Sequence, residues 1–328
     1  MSFVDEISSA RKSRRLRWRD MSPLKRNEAK WGYFFISLWI VGFLTFYLLP
    51  MIASFGFSLV DFQLAKPDEI SFVGFENWSR MLFDDELVWL SMRVTFVFAL
   101  ISLPIGIVVS LGLAILLNSE HLFGRDVFRT LFYMPSMIPL IASIFIWSGV
   151  LNSQSGWLNR MIEFASFGQI EAVGLNGLRW LDDPRLIYIA YTYIGIWGVG
   201  NAIIINLAGL QSVPTDLYEA SQIDGAGWLR RLWSITIPMI SPVIFYNLVL
   251  GLVGLLQYFI VPYILNGGNG SPDNTTRFYM IHFFTNAFGY ADMGYGAALA
   301  WLMFVVGMLL TLGLFASAKY WVYYGAED

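Results

Sequence analysis

The residues of this chain whose types could do chemistry are few, and most of them are uncharged. Asn201, Asn206, Asn247 and Gln257 lie inside long apolar runs that contain no charged residue. A carboxamide offers two N–H donors and an acceptor oxygen, and these groups suit a neutral polyhydroxylated solute better than an ion. The other polar concentration is one loop, Tyr218 to Pro242, set between two apolar runs and carrying Glu219, Ser221, Asp224, Arg230 and Arg231. Bond-making chemistry has little to work with. There are no cysteines, which removes disulfides and thiolate metal sites, and His121 and His282 are the only histidines and stand far apart. No GxxxxGK[ST] phosphate loop occurs, so any ATP hydrolysis belongs to another polypeptide. The chain is expected to be non-catalytic and to bind no cofactor of its own.

The elements that must position these groups are read from composition. The chain has 328 residues, 56% hydrophobic and 14% charged, with a mean hydropathy of +0.57. Soluble domains carry about 25% charged residues, and here the apolar residues form unbroken runs. A helix needs about 20 apolar residues to cross a bilayer. Six charge-free runs qualify: Trp31–Val60, Val94–Ser119, Thr130–Asn159, Leu186–Thr215, Leu232–Pro272 and Met293–Ala318. They predict an all-α, polytopic membrane protein with spans at 33–57, 94–117, 130–150, 188–210, 240–263 and 295–318. The first run is longer than the apolar segment of a signal peptide and is read as an uncleaved span. Aromatic residues near the proposed ends, among them Trp31, Trp147, Trp157, Tyr188, Trp233 and Trp321, suit the headgroup level.

Nine basic residues between Arg11 and Lys30, with Arg125, Arg129, Arg230 and Arg231 in two further loops, place both termini in the cytoplasm. The tail, 1–30, is expected to meet anionic lipid rather than nucleic acid. The span middles hold no ionisable residue, which argues against an ion-coupled carrier. An intramembrane enzyme would need a nucleophile–base pair or a metal cluster that is missing.

The polar loop has its own signals. Pro214 suits the start of a helix, with Ser212 or Thr215 as a cap. A helix over 215–224 would put Leu217, Ala220, Ser221 and Asp224 on one face. Gly225 and Gly227 would take positive φ and end it. A cytoplasmic helix with a small-residue face and a glycine stop suits docking in a groove on a partner.

This loop resembles the EAA loop of ABC importer permeases. That pattern is E-A-A, three residues, G, nine residues, I, one residue, then L-P; this chain has Glu219, Ala220, Ser221, Gly225, Ile235, Ile237 and Pro238. Ser221 replaces the second alanine and Ile237 the leucine. Four further segments resemble the carbohydrate-uptake, maltose-type branch on the side of its larger permease. They are Phe72–Trp78 (FVGFENW), Phe128-Arg129-Thr130 with Pro135, Gly156–Asn159 (GWLN) and Asn266-Gly267-Gly268.

The resemblance implies the transmembrane domain of a binding-protein-dependent importer over residues 31–328. Its partners would be a second homologous permease, two ATP-binding cassette subunits that hold ATP and Mg, an extracytoplasmic solute-binding protein and membrane lipid. Coupling would run through loop 212–238 and Glu219, Ala220, Ser221, Asp224 and Gly225. Sugar contacts carried over from the family fall on Trp197, Gly198, Asn201 and Gln257; a further family asparagine falls on Gly254, so that contact is absent. The cargo implied is an oligo- or disaccharide, with glycerol-3-phosphate or a polyol as the alternative. The long loops 61–92 and 151–187, carrying Asp84, Asp85, Glu86, Glu163, Glu171, Asp182 and Asp183, are expected to meet the binding protein.

Overall fold

The computed structural model describes residues 22–66, 68–119, 122–167 and 178–323. It divides into two units, Met1–Gly56 and Phe57–Asp328. In the first, α1 (Pro23–Phe43) runs through a π turn at Leu44–Leu48 into α2 (Leu49–Phe57). Ser22 caps α1, its hydroxyl accepting from the Lys25 amide at 3.4 Å, with Pro23 at the first helical position. The helix therefore starts earlier than the charge-free run, taking Lys25, Arg26 and Lys30 into its first turns. Its apolar side chains, such as Phe46 and Trp39, are exposed along its whole length, a surface that needs lipid or another protein to cover it.

The second unit is a helical bundle with one short hairpin, β1 (Val60–Asp61) antiparallel to β2 (Ser71–Phe72). After α3 (Glu76–Ser79) and a π turn, the long α4 (Glu86–Asn118) forms the hub. Against it pack α8 (Ile187–Trp197), α9 (Gly200–Gln211), α13 (Ser241–Leu256) and α15 (Tyr279–Phe284). With 33 residues, α4 is about 50 Å long, so the bundle has two well-separated ends. One carries the hairpin and the start of α4; the other carries the end of α4 and the polar loop.

Among the described residues, four helices are long and apolar enough to span a membrane: Pro23–Phe57, Glu86–Asn118, Ser241–Asn266 and α16 (Met293–Trp321). Two more spans arise only if each of two bent pairs counts as one. The 130–150 region is not a straight helix: α5 (Arg125–Tyr133) and the 3₁₀ turn after it meet α6 (Leu140–Val150) at 101°. Pro135 and Pro139 flank the break, where each removes a backbone donor. The 188–210 region bends by 58° between α8 and α9, around Gly198–Gly200. A Cβ on Gly200 would lie 2.9 Å from the Phe132 carbonyl oxygen, so glycine lets α9 start against the α5 backbone. The span near 240–263 is interrupted at Gln257–Phe259, before α14 (Ile260–Asn266).

The motif residues have structural work at the hairpin end. Asn77 donates to the carbonyls of Ser58 (3.1 Å) and Val60 (3.0 Å), tying α3 to the hairpin. Asn159, on α7 (Trp157–Ala165), donates to Leu178 O and accepts from the Trp180 indole at 2.8 Å. Asn266 donates to Leu181 O and accepts from the Tyr191 hydroxyl at 2.6 Å, after which Gly267 and Gly268 both take φ +67. Asp85, expected to face a partner, turns inward and accepts from Tyr295 (2.6 Å) and His282 (3.0 Å). His121 and Glu171 lie outside the described residues.

Candidate functional site

Two regions gather the sequence-predicted residues. The first is the polar loop. Helix α10 covers Thr215–Ile223, with Asp224 as C-cap and Gly225 at φ +74. The Gly225 amide donates to Gln222 O (3.0 Å) and the Ala226 amide to Ser221 O (2.9 Å). This pair of bonds is the Schellman arrangement, in which a left-handed residue closes the helix end. Gly227 does not share that role; its φ is −67 and it begins α11 (Trp228–Arg231), after which the short α12 (Ile237–Met239) leads to α13. Neither Ser212 nor Thr215 caps α10. The Ser212 hydroxyl bonds back to Gly209 O at 2.7 Å, and Pro214 occupies the cap position.

The face of α10 turned to the bundle is Tyr218 and Ser221. Tyr218 pairs with the Thr236 hydroxyl at 3.0 Å, and it packs on a cluster made by Ala114 and Leu117 of α4, Ile203, Leu207 and Leu210 of α9, Val213 and Ile240. Glu219, Ala220, Asp224 and Gly225 remain exposed, while Ser221 is half-buried with its hydroxyl on Tyr218 O. Ile223, Trp228 and Leu229 are also exposed. The sequence reading did not include these three, although apolar residues on a loop otherwise polar were the available signal. The loop thus presents a mixed charged and apolar surface, rooted in α4 and α9.

The second region lies at the helix breaks. A cavity of about 400 Å³ between α4, α8, α9 and α13 is lined by Asn201 with Ser102, Thr192, Asn247 and Tyr258 among apolar side chains. The Tyr258 hydroxyl is buried with no hydrogen-bond partner among the described residues. Gln257, its neighbour in the α13 break, opens instead on a separate cavity of about 590 Å³ between α13, α15 and α16. Trp197 is half-buried with its ring edge-on to Trp147, centroids 5.3 Å apart. Gly198 is exposed at the bend; it and Trp197 line neither cavity. The structure therefore keeps the four residues near two breaks without joining them in one pocket. Asn206 and Asn247 have another task. Asn247 donates to Asn206 Oδ1 (2.8 Å) and Asn206 donates to Ser110 Oγ (3.2 Å), which ties α13, α9 and α4 together. Among the described residues no group of His, Asp and Glu could hold a metal.

Long apolar helices, interrupted ones at their middle and a polar helix rooted at one end define a multi-pass membrane subunit of the transporter class. The chain belongs to the binding-protein-dependent transport system inner membrane component family of ABC transporter permeases, whose model matches residues 102–321. It is 34% identical to the probable ABC transporter permease protein YesP of Bacillus subtilis strain 168, over 90% of this chain and 93% of that one. It is 34% identical to the trehalose/maltose transport system permease protein MalF of Thermococcus litoralis, over 89% and 94%. Its fold matches a crystal structure of a bacterial alginate ABC transporter in complex with an alginate pentasaccharide-bound periplasmic protein. The TM-score is 0.73 at 22% identity, covering 94% of this chain and 99% of that one.

Proposed function

We propose that this chain is one half of the channel of an ATP-driven importer that accepts a saccharide from an extracytoplasmic binding protein. A second homologous permease completes the pore, and two ATPase subunits in the cytoplasm hold ATP and Mg. The observation that carries this is α10: an exposed helix with Glu219 and Ala220 on its surface, closed by a left-handed Gly225 and rooted in α4 and α9. A push on that helix reaches the hub α4 and its neighbour α9. The kinship with a trehalose/maltose permease supports a sugar as cargo. The test is ATPase activity of the co-purified complex in liposomes, with its binding protein and a panel of sugars. Stimulation by a saccharide is expected; the absence of any co-purifying ATPase would overturn the reading.

Asn201 and Gln257 are the solute contacts this reading proposes, with Trp197 and Gly198 shaping the bend beside them. A few well-placed polar groups in an apolar wall fix a ligand's orientation. Asn201→Leu and Gln257→Leu are each expected to raise the KM of sugar uptake about tenfold, a loss of about 1.4 kcal/mol, with the complex still assembled. Wild-type uptake by either variant would remove that residue from the pathway.

A further inference from the structure

A third cavity, of about 370 Å³, lies at the hairpin end between α4, the start of α8 and the connection from α14 to α15. Arg93 stands on its α4 wall, beside Val94, and Tyr188 on its α8 wall; Asp273, Asn274 and Thr275 face them from the connection. Arg93 is the unusual member. It sits two turns inside a helix that is apolar from Val94 onward, it is exposed, and among the described residues it makes no ion pair or hydrogen bond. Just before the charge-free run a long basic side chain can reach along the apolar surface toward the interface, and here Arg93 lines the cavity. The sequence reading began this span at residue 94, one position too late to meet it.

The opposite wall is held rigidly. Asp273 and Asn274 both have left-handed backbones, φ +45 and +59, a conformation that Asp and Asn tolerate better than other residues with a Cβ. Arg277 holds it here, donating to Asn274 Oδ1 (2.9 Å) and Asn269 O (2.7 Å), while the Thr276 hydroxyl donates to Ser271 O (2.7 Å). Arg277 is thereby engaged; Arg93 is not. Asp273 shares the cavity with Arg93 yet forms no ion pair with it. A guanidinium on one wall, with a carboxylate, a carboxamide and a hydroxyl on the other, matches a ligand bearing both an acid group and hydroxyls. Arg reads oxyanions in a fixed fork geometry.

We propose that this cavity is a subsite for a saccharide carrying an acid group, with its oxyanion on Arg93 and its hydroxyls on Asp273, Asn274 and Thr275. The inference rests on the importer reading and adds the charge of the cargo. In the orientation derived from the basic loops, the cavity lies on the extracytoplasmic side, where solute enters.

The experiment compares a uronate-bearing oligosaccharide with a neutral one of equal length, in the reconstituted complex with its binding protein. Uptake is followed for wild type, Arg93→Gln and Arg93→Lys. Wild type is expected to import the acidic sugar. Arg93→Gln should raise its KM about tenfold or more while kcat and neutral-sugar uptake stay unchanged, and Arg93→Lys should recover part of the loss. Import of neutral sugars alone by wild type would overturn the subsite and leave the importer standing. So would an unchanged KM in Arg93→Gln. Equal losses for both sugars would assign Arg93 to a lipid headgroup, which also overturns it. Failure of every saccharide to be imported would overturn both readings.

Discussion

Replacing Gly225 by proline is expected to leave the subunit folded and in the membrane, and to lower saccharide-stimulated ATP hydrolysis by its complex tenfold or more. The residue sits at φ +74, and the pyrrolidine ring fixes φ near −65°. Proline also removes the amide that donates to Gln222 O. Both halves of the Schellman closure are then lost, and the last turn of α10, with Ser221 and Asp224, has to leave its place. A Cβ at this position would meet nothing within 4 Å, so the requirement is for the backbone angle and not for space. That makes Gly225→Ala a useful control: a left-handed alanine costs only about 1–2 kcal/mol and creates no clash, so most of the activity should persist. The check is ATPase activity with and without sugar, beside a thermal melt of the complex. A Gly225→Pro complex that melts like wild type and is still fully stimulated would mean that the stroke does not pass through this helix.

Much of this loop was legible because its signals are local. Proline before a helix and glycine after it act through their own backbones, so residues 215–225 could be read without knowing the neighbours. The caps failed for the same reason in reverse: Ser212 had a second, equally local partner in the Gly209 carbonyl. Four of the six apolar runs coincide with helices of membrane length among the described residues, and the other two fall on bent pairs. The runs misjudged where helices begin. A helix continues into its charged first turns, as α1 does through Lys30 and α4 through Glu86 and Arg93, while the charge-free run marks only the apolar portion. Nor could a run disclose the 101° break near Pro135 and Pro139, because apolar composition is the same on both sides of it.

The amides show a limit of another kind. Asn201, Asn206 and Asn247 read alike in sequence, yet Asn206 is buried in a bond across helices, Asn201 opens on a cavity, and Asn247 does both. Which face of a helix meets a neighbour is decided by packing among segments far apart in the chain. Gln257 and Tyr258 make the same point at one step's distance, since the α13 break turns them into different cavities.

Asp85 illustrates the most distant dependence, and its removal is expected to have the largest effect on stability. Its partners His282 and Tyr295 are 197 and 210 positions away, so nothing in the sequence distinguished it from Asp84 or Glu86. Its carboxylate accepts from the Leu87 amide at 2.9 Å, capping α4, and from both distant side chains. Arg80 lies over the Tyr295 ring at 4.0 Å and pairs with Asp292 at 2.9 Å, which caps α16 through the Tyr295 amide. One carboxylate therefore joins α4, α15 and α16. Asp85→Ala would leave a buried imidazole and a buried hydroxyl without their acceptor, and each such unsatisfied group costs about 1–3 kcal/mol.

The same cluster gives a pH dependence with a definite sign. Burial, the largest influence, holds the His282 imidazole below its usual range; Asp85 pulls the other way, and Arg277 and Arg80 add to the depression. The folded protein thus keeps His282 neutral where the unfolded chain would take up a proton. Stability is full above about pH 6.5 and declines as pH falls below that value toward the folded pKa. For Asp85, burial alone would raise the carboxyl, but the hydrogen bond from Tyr295, with His282 and the Leu87 amide, outweighs it and leaves it lowered. Its contribution is present above about pH 4 and disappears as pH falls through the folded pKa. The histidine effect therefore comes first on acidification. Melting temperatures in detergent should fall between pH 7 and pH 5 for wild type and stay nearly level over that interval in His282→Asn, at a lower starting value. Parallel slopes for the two proteins would show that folding leaves the His282 pKa unchanged, and a wild type that gains stability relative to His282→Asn on acidification would show that the cluster is an ion pair and not a neutral hydrogen-bonded one.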